Sequence, residues 1–209
     1  MNPKFPNNRA SQGERIIDLY RRQAKGYDAS GIGALESKRR QAVGLLKLSP
    51  GDLVVDIGCG TGLNFPFLQS AVGSSGKIIG VDLTDAMLNQ ARERVSEHGW
   101  QNIELVQCDA SVYEFPDGVD GIISAFALTF IPDAYGVIQN GAAALAPGKR
   151  FVVLDMAWPR GWPLWLRHLI PLLPSYGVTS ETIQRRPWES IRNGMTKNLS
   201  AQMVDFWMG

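Results

Sequence analysis

The chain has 209 residues, with 21 basic against 20 acidic side chains and a formal net charge of +1. That length suits one substantial α/β core and crowds a second domain, and the charge balance excludes the broad electropositive face that nucleic-acid binding requires, so a small-molecule or lipid substrate fits better. Two cysteines, Cys59 and Cys108, make no disulfide framework, and neither an apolar signal core at the start nor a bilayer-length apolar run is present, so a soluble, cytoplasmic protein is expected, touching a membrane only from the side.

Residues 1–11 are polar and rich in Asn and Pro, which predicts a loose tail, with order beginning near Gln12. Helical periodicity follows around Glu14 to Gln23 and Leu35 to Leu48, split by the glycine-bearing stretch Gly26 to Gly33. Short apolar runs then alternate with helical ones, the pattern of βαβ units on a parallel sheet buried on both faces. Strands are predicted at Leu53 to Ile57, Lys77 to Asp82, Ile103 to Cys108, Gly121 to Phe126 and Arg150 to Met156. Helices are predicted at Leu63 to Val72, Thr84 to His98 and Tyr135 to Ala146, with Thr84 and His98 placed to cap the second.

The last third changes character, since Trp158 to Pro174 holds three Trp and four Pro with few charges. The predicted organisation is one domain: a helical cap over 1–48, a ligand-binding core over 49–156, a Trp-rich lid or insertion over 157–196, and a last strand over 197–209 centred on Leu199 to Trp207. The fold class is a doubly wound, Rossmann-like α/β sheet, mostly parallel, with helices on both faces.

Chemistry concentrates where the first strand runs into Asp56-Ile57-Gly58-Cys59-Gly60-Thr61-Gly62. Three glycines at alternate positions let the backbone turn sharply and admit a flat ligand with no Cβ in the way. The dinucleotide fingerprint requires a further glycine three positions after the second, where Leu63 stands, so a nicotinamide-dependent oxidoreductase is disfavoured. Asp56 would also sit poorly against a pyrophosphate, whereas the methionine ammonium of S-adenosylmethionine (SAM) attracts such a carboxylate, directly or through water. Asp82 closes the second strand about 20 residues on, placed to accept both hydroxyls of a ribose. Asp109 closes the third, where it is placed to accept an adenine amine. Each acid alone is as well explained as a turn former, but three at successive strand ends point to a ligand. Cys59 lacks a neighbouring histidine and reads as a small filler rather than a nucleophile.

Together, Asp56 to Gly62, Gly80-Val-Asp-Leu-Thr-Asp-Ala-Met-Leu88, Cys108-Asp-Ala110 and Leu145-Ala-Pro-Gly148 resemble the successive signatures of class I SAM-dependent methyltransferases. The set is similar to the branch holding ubiquinone/menaquinone-biosynthesis C-methyltransferases and bacterial phosphatidylethanolamine N-methyltransferases, and Tyr20 to Asp28 resembles that branch's N-terminal segment over the cofactor. The resemblance implies that Gly58, Cys59, Gly60 and Gly62 form the SAM loop and that Tyr27 packs over the methionine part. It further implies that Asp82 takes the ribose, that Asp109 with Ala110 meets the adenine edge, and that Leu83 and Met87 line the adenine. No metal is implied, and the family's seventh strand has no counterpart before Gly209.

Methyl transfer is an in-line displacement in which positioning matters most, and a base is needed chiefly for carbon or hydroxyl nucleophiles. Ser124 to Asp133, with Phe126 beside the cofactor, faces the expected methyl group and offers Thr129 but no strong base. Tyr27, Thr129 and His168 are the catalytic candidates, and His98 is expected to cap a helix instead. Tryptophans beside Arg160 and Arg167 in Trp158 to Pro174 suit either the headgroup level of a membrane or an apolar lid. The expectation is methylation of a hydrophobic or lipid-like small molecule, with a phospholipid headgroup nitrogen ahead of a quinone ring carbon or an oxygen or nitrogen of another small metabolite; the rival of another class is a SAM-binding regulator without activity.

Overall fold

The apolar runs become β1 (Leu53–Ile57), β2 (Lys77–Asp82), β3 (Ile103–Gln107), β4 (Val119–Ala125) and β5 (Leu145–Leu154) of one sheet ordered β3-β2-β1-β4-β5. Every pairing is parallel. The structure, a computed structural model, describes residues 18–22, 24–28 and 35–155. Its helices are α1 (Glu36–Leu46), α2 (Phe65–Val72), α3 (Asp85–Glu97) and α4 (Ala134–Ala144), with 3-10 turns at Ala24–Gly26 and Leu128–Phe130. Residues 18–22 are helical, within the first predicted helix. The expectations for the lid, His168 and the last strand lie outside the described residues.

Successive side chains of a strand point to opposite faces, and here both faces are apolar. Val54, Ile78 and Ile123 pack with Leu46 of α1, Phe65 and Leu68 of α2 and Leu88 of α3. Their neighbours Val55, Ile79 and Ile122 pack on the other face with Val137 and Ile138 of α4. Full burial of a side chain such as Phe65 or Leu68 stabilises by about 1.5–3 kcal/mol. Among the described residues, no helix is long and apolar enough to cross a membrane.

Register matters for function because it levels the strand ends. Val54 faces Ile78 on one side and Gly121 on the other, so Ile57, Asp82, Gln107, Ala125 and Leu154 end together on one rim. From β1 the chain builds outward to β2 and β3 and then crosses back to β4 on the other side of β1, so the strand order reverses at the carboxyl ends of β1 and β4, the place where open α/β sheets bind ligands.

Several boundaries differ from the sequence-based expectation, and three of them bear on the site. β5 starts at Leu145, directly after α4, and an irregularity between the Val119 and Gly121 pairings absorbs Ala146 to Lys149. It also ends at Leu154, whose carbonyl accepts the Phe126 amide at 2.6 Å, so Asp155 is the first residue past the strand. α2 starts at Phe65 with Pro66 in its first turn, leaving Leu63 in the loop. Thr84 occupies the N-cap of α3 but does not cap it with its side chain; the hydroxyl serves Asp82 instead. His98 does cap, its Nδ1 lying 2.9 Å from the Arg94 carbonyl while its ring stacks on Trp100.

Candidate functional site

The glycine loop is hung from the neighbouring strand. The Gly58 and Cys59 amides donate to the Val81 carbonyl at 2.8 and 3.0 Å, and the Gly62 amide closes the turn on the Cys59 carbonyl at 2.9 Å. Gly58 has φ +66°, and a Cβ there would lie 2.2 Å from that of Ala127, so β1's exit packs directly on β4's exit. Gly60 has φ +56°, yet no atom stands within 4 Å of where its Cβ would be. The loop is therefore closed toward β4 and open on its other side, which is the shape needed to seat a ligand against backbone. Cys59 is buried, and burial together with the negative Asp82 and Asp56 pushes its thiol up, which suits a filler and disables a nucleophile.

Two of the strand-end acids are tied into this loop. Asp82 accepts the Gly60 amide at Oδ2, 2.9 Å, and the Thr84 amide at Oδ1, 2.8 Å, which clamps the loop to the start of α3. Burial pushes its carboxyl up, against the lowering effect of those donors. Asp56 is fully buried, with both oxygens 3.1 Å from Asn64 Nδ2, and the Asn64 oxygen in turn accepts from Arg39 Nη1 at 3.0 Å. Burial raises Asp56 to about 7, opposed by Asn64 and Arg39 and reinforced by Asp82. Arg39 is itself buried and lies over the Phe126 ring at 5.1 Å; burial pulls its guanidinium down from its ordinary value, and its Nε has no hydrogen-bond partner among the described residues. The outcome is an incompletely compensated acid beneath the loop.

The N-terminal segment crosses above. Arg21 pairs with Asp85 at the start of α3 at 2.8 Å. Asp28 accepts the Thr61 hydroxyl at 2.6 Å and pairs with Arg94, whose Nε also holds the Thr61 carbonyl at 2.9 Å. Between these two anchors, Tyr20 meets the edge of Tyr27 at 6.1 Å and of Phe130 at 5.9 Å between ring centroids. Burial and the nearby Tyr27, Asp82 and Asp155 push the Tyr20 phenol up, so it stays protonated across the working range. Tyr27 is likewise raised, chiefly by burial, with Arg39 pulling the other way. The rings thus bridge from the β2 end to the β5 end.

The remaining predicted residues divide. Met87, Ala110 and Phe126 are buried, Phe126 at a left-handed φ of +61°, whereas Leu83 is 38% exposed at the rim. Asp109 is exposed, and its Oδ1 accepts from the Ser111 amide and hydroxyl at 2.9 and 2.6 Å, a turn-forming role. Thr129 is buried and its hydroxyl has no hydrogen-bond partner among the described residues, while its amide donates to Asp155 Oδ2 at 2.9 Å. Sequence reading missed Arg39, Asn64, Tyr20 and Asp155 as individual residues. Asn64 stands two positions beyond the last loop glycine and was legible as the loop's own polar neighbour. Arg39 looked like one more cation in a charged helix.

The chain is similar to known proteins in sequence and in fold. The model of a family described as a methyltransferase domain matches residues 54–148. "Aklanonic acid methyltransferase DauC" of Streptomyces sp. (strain C5) is 28% identical over 185 residues, covering 88% of this chain and 84% of that protein. "Ubiquinone/menaquinone biosynthesis C-methyltransferase UbiE" of Teredinibacter turnerae is 28% identical over 213 residues, covering 91% of this chain and 85% of that one. Among solved structures, a SAM-dependent methyltransferase from Aquifex aeolicus is similar in fold, with TM-score 0.59 and 24% identity over 72% of this chain and 85% of that one.

Proposed function

We propose that this chain, a class I SAM-dependent methyltransferase, delivers its methyl group to a hydroxylated aromatic ring of the quinol type. The observation that carries the reading is the aromatic bridge of Tyr20, Tyr27 and Phe130, edge-to-face contacts that favour a flat ring as their next neighbour. The two curated relatives support it by name, one for aklanonic acid and one for ubiquinone and menaquinone.

SAM fits the residues present. The open side of Gly60 takes a flat ligand, the rim carboxylate of Asp82 suits ribose hydroxyls, and the under-compensated Asp56 calls for a cation such as an amino-acid ammonium, reached through Asn64 or water. In this reading Tyr27 covers the methionine part, Leu83 and Met87 border the adenine, and Asp109 with Ala110 meets its edge. When bound, SAM supplies an electrophilic methyl on a sulfonium. The chain's own task is to hold the ring and the methyl in line and to keep water out.

The phospholipid-headgroup reading, and with it peripheral membrane docking, rests on the composition of residues 158–174, which lie outside the described residues. One assay separates the two acceptors. Labelled SAM is supplied with 1,4-dihydroxynaphthalene in one arm and with phosphatidylethanolamine vesicles in the other. Label in the ring is expected; label in the lipid alone sinks the ring reading and restores the headgroup nitrogen.

A further inference from the structure

In the reading above three acids serve the cofactor: Asp82 and Asp109 at the ends of β2 and β3, and Asp56, buried in β1 beneath the loop. A fourth follows β5. β5 ends when the Leu154 carbonyl accepts the Phe126 amide at 2.6 Å, and the next residue, Asp155, turns its carboxylate onto the Thr129 amide at 2.9 Å. That hydrogen bond fixes one oxygen and so orients the group, and it pins the Leu128–Phe130 turn that carries both the Thr129 hydroxyl and the Phe130 ring. Phe130 of that turn packs edge-to-face on Tyr20 with ring centroids 5.9 Å apart, so the residue that Asp155 holds is the chain neighbour of one end of the aromatic bridge. On the same turn the buried Thr129 hydroxyl lacks a hydrogen-bond partner among the described residues, a deficit that an acceptor oxygen would offset.

We propose that Asp155 is the general base of the methyl-acceptor site, taking the hydroxyl proton of the ring as the methyl is transferred. The inference rests on the quinol-type reading above. The acceptor's O–H proton moves to an Asp155 carboxylate oxygen. The electron pair it releases feeds through the ring to the attacking carbon, which bonds to the methyl carbon. The methyl–sulfur bond breaks with its pair going to sulfur, yielding neutral S-adenosylhomocysteine; the methylated carbon then releases its ring proton to water, and the C–H pair restores aromaticity as the ring oxygen takes its proton back from Asp155. Thr129 acts as a positioning residue, its amide holding the base. Tyr20, protonated throughout, remains a hydrogen-bond donor beside the developing oxyanion.

The test uses a series of ring-substituted 1,4-dihydroxynaphthalenes whose hydroxyl acidity runs from well above to well below the assay pH. It measures kcat across the series for the wild type, Asp155→Asn and Asp155→Glu, with SAM affinity and ring affinity followed separately by calorimetry. The wild type should depend weakly on acidity. Asp155→Asn keeps an acceptor for the Thr129 amide, so it should bind SAM and ring as before, yet lose about 10²–10⁴-fold on weakly acidic rings and recover on rings already ionised. Asp155→Glu retains a carboxylate and should keep the weak dependence at a lower rate, which preserves the test if the Asn variant folds poorly. An equal loss across the series, no loss, or a steep dependence in the Glu variant overturns the proposal. A wild type that methylates none of these rings overturns both the base and the acceptor reading, and is recognised because it needs no variant to be seen.

Discussion

Replacing Asp56 by Asn should flatten the pH dependence of stability and loosen the hold on the cofactor. Burial moves this carboxyl from 3.8 to about 7, so the folded protein keeps a proton that the unfolded chain has released. The group's contribution is therefore fully present below about pH 4, falls as pH rises toward 7, and is constant above; the loss amounts to about 4 kcal/mol. The amide has the same shape, still accepts from Asn64, and does not titrate. Urea unfolding at pH 4.5 and pH 8 should show the wild type losing several kcal/mol more than Asp56→Asn, while carboxylates common to both proteins, such as Asp85 and Asp120, cancel in the difference. SAM affinity supplies the second arm. If an ammonium is drawn to the ionised acid, the wild type should bind progressively more weakly below pH 7, and the variant should bind weakly at every pH. Equal stability losses in the two proteins would refute the assignment of a buried titrating acid, and a variant with wild-type SAM affinity would refute its link to the ligand.

Asp82→Ala removes an acceptor shared by Gly60 and Thr84, each hydrogen bond to the charged group contributing about 1.5–3 kcal/mol; SAM binding by calorimetry should fall at least about 100-fold, and an unchanged affinity defeats the ribose assignment. Gly58→Ala places a Cβ at φ +66° and 2.2 Å from Ala127, so the urea midpoint should drop by the equivalent of about 2–5 kcal/mol; a wild-type midpoint means the loop and the β4 exit are not in contact. Thr61→Val deletes the hydroxyl that holds Asp28, and SAM should dissociate about tenfold faster, in line with a loss of about 1.5 kcal/mol. An unchanged rate means that residues 24–28 do not cover the ligand.

Much of the fold was legible because parallel strands buried on both faces leave uninterrupted apolar runs: β1 and β2 match their predicted limits residue for residue. The glycine loop was legible for the same reason that it works, since a turn open to a ligand needs residues without Cβ. What escaped was whatever depends on where a strand stops. Running β5 on to Met156 puts Asp155 inside a strand, whereas the ladder ends at Leu154 and the acid turns onto the Thr129 amide. No local pattern marks that difference, because it is made by β4, nearly thirty residues away. Arg39 escaped for a related reason. Its helix is charged, and only tertiary packing brings that one guanidinium inward to Asn64 and Phe126.

The turn-forming role weighed from sequence for the strand-end acids is what the folded chain shows for Asp82 and Asp109, and Asp155, which the sequence did not mark, behaves alike. Asp82 clamps Gly60 and Thr84 before any ligand arrives, Asp109 folds over Ser111, and Asp155 holds the Thr129 amide. A carboxylate offers about four lone-pair sites, so one or two spent on backbone still leave others, now pointing in a set direction. That is the requirement for a reaction limited by alignment, since a side chain fixed beforehand need not be ordered at the moment of transfer. It also predicts how such residues respond to substitution. Amide replacements, which keep part of the backbone role, should separate from alanine replacements, which lose all of it. The gap between Asp82→Asn and Asp82→Ala in melting temperature, set against the gap in SAM affinity, then divides the structural share of the residue from its share in binding.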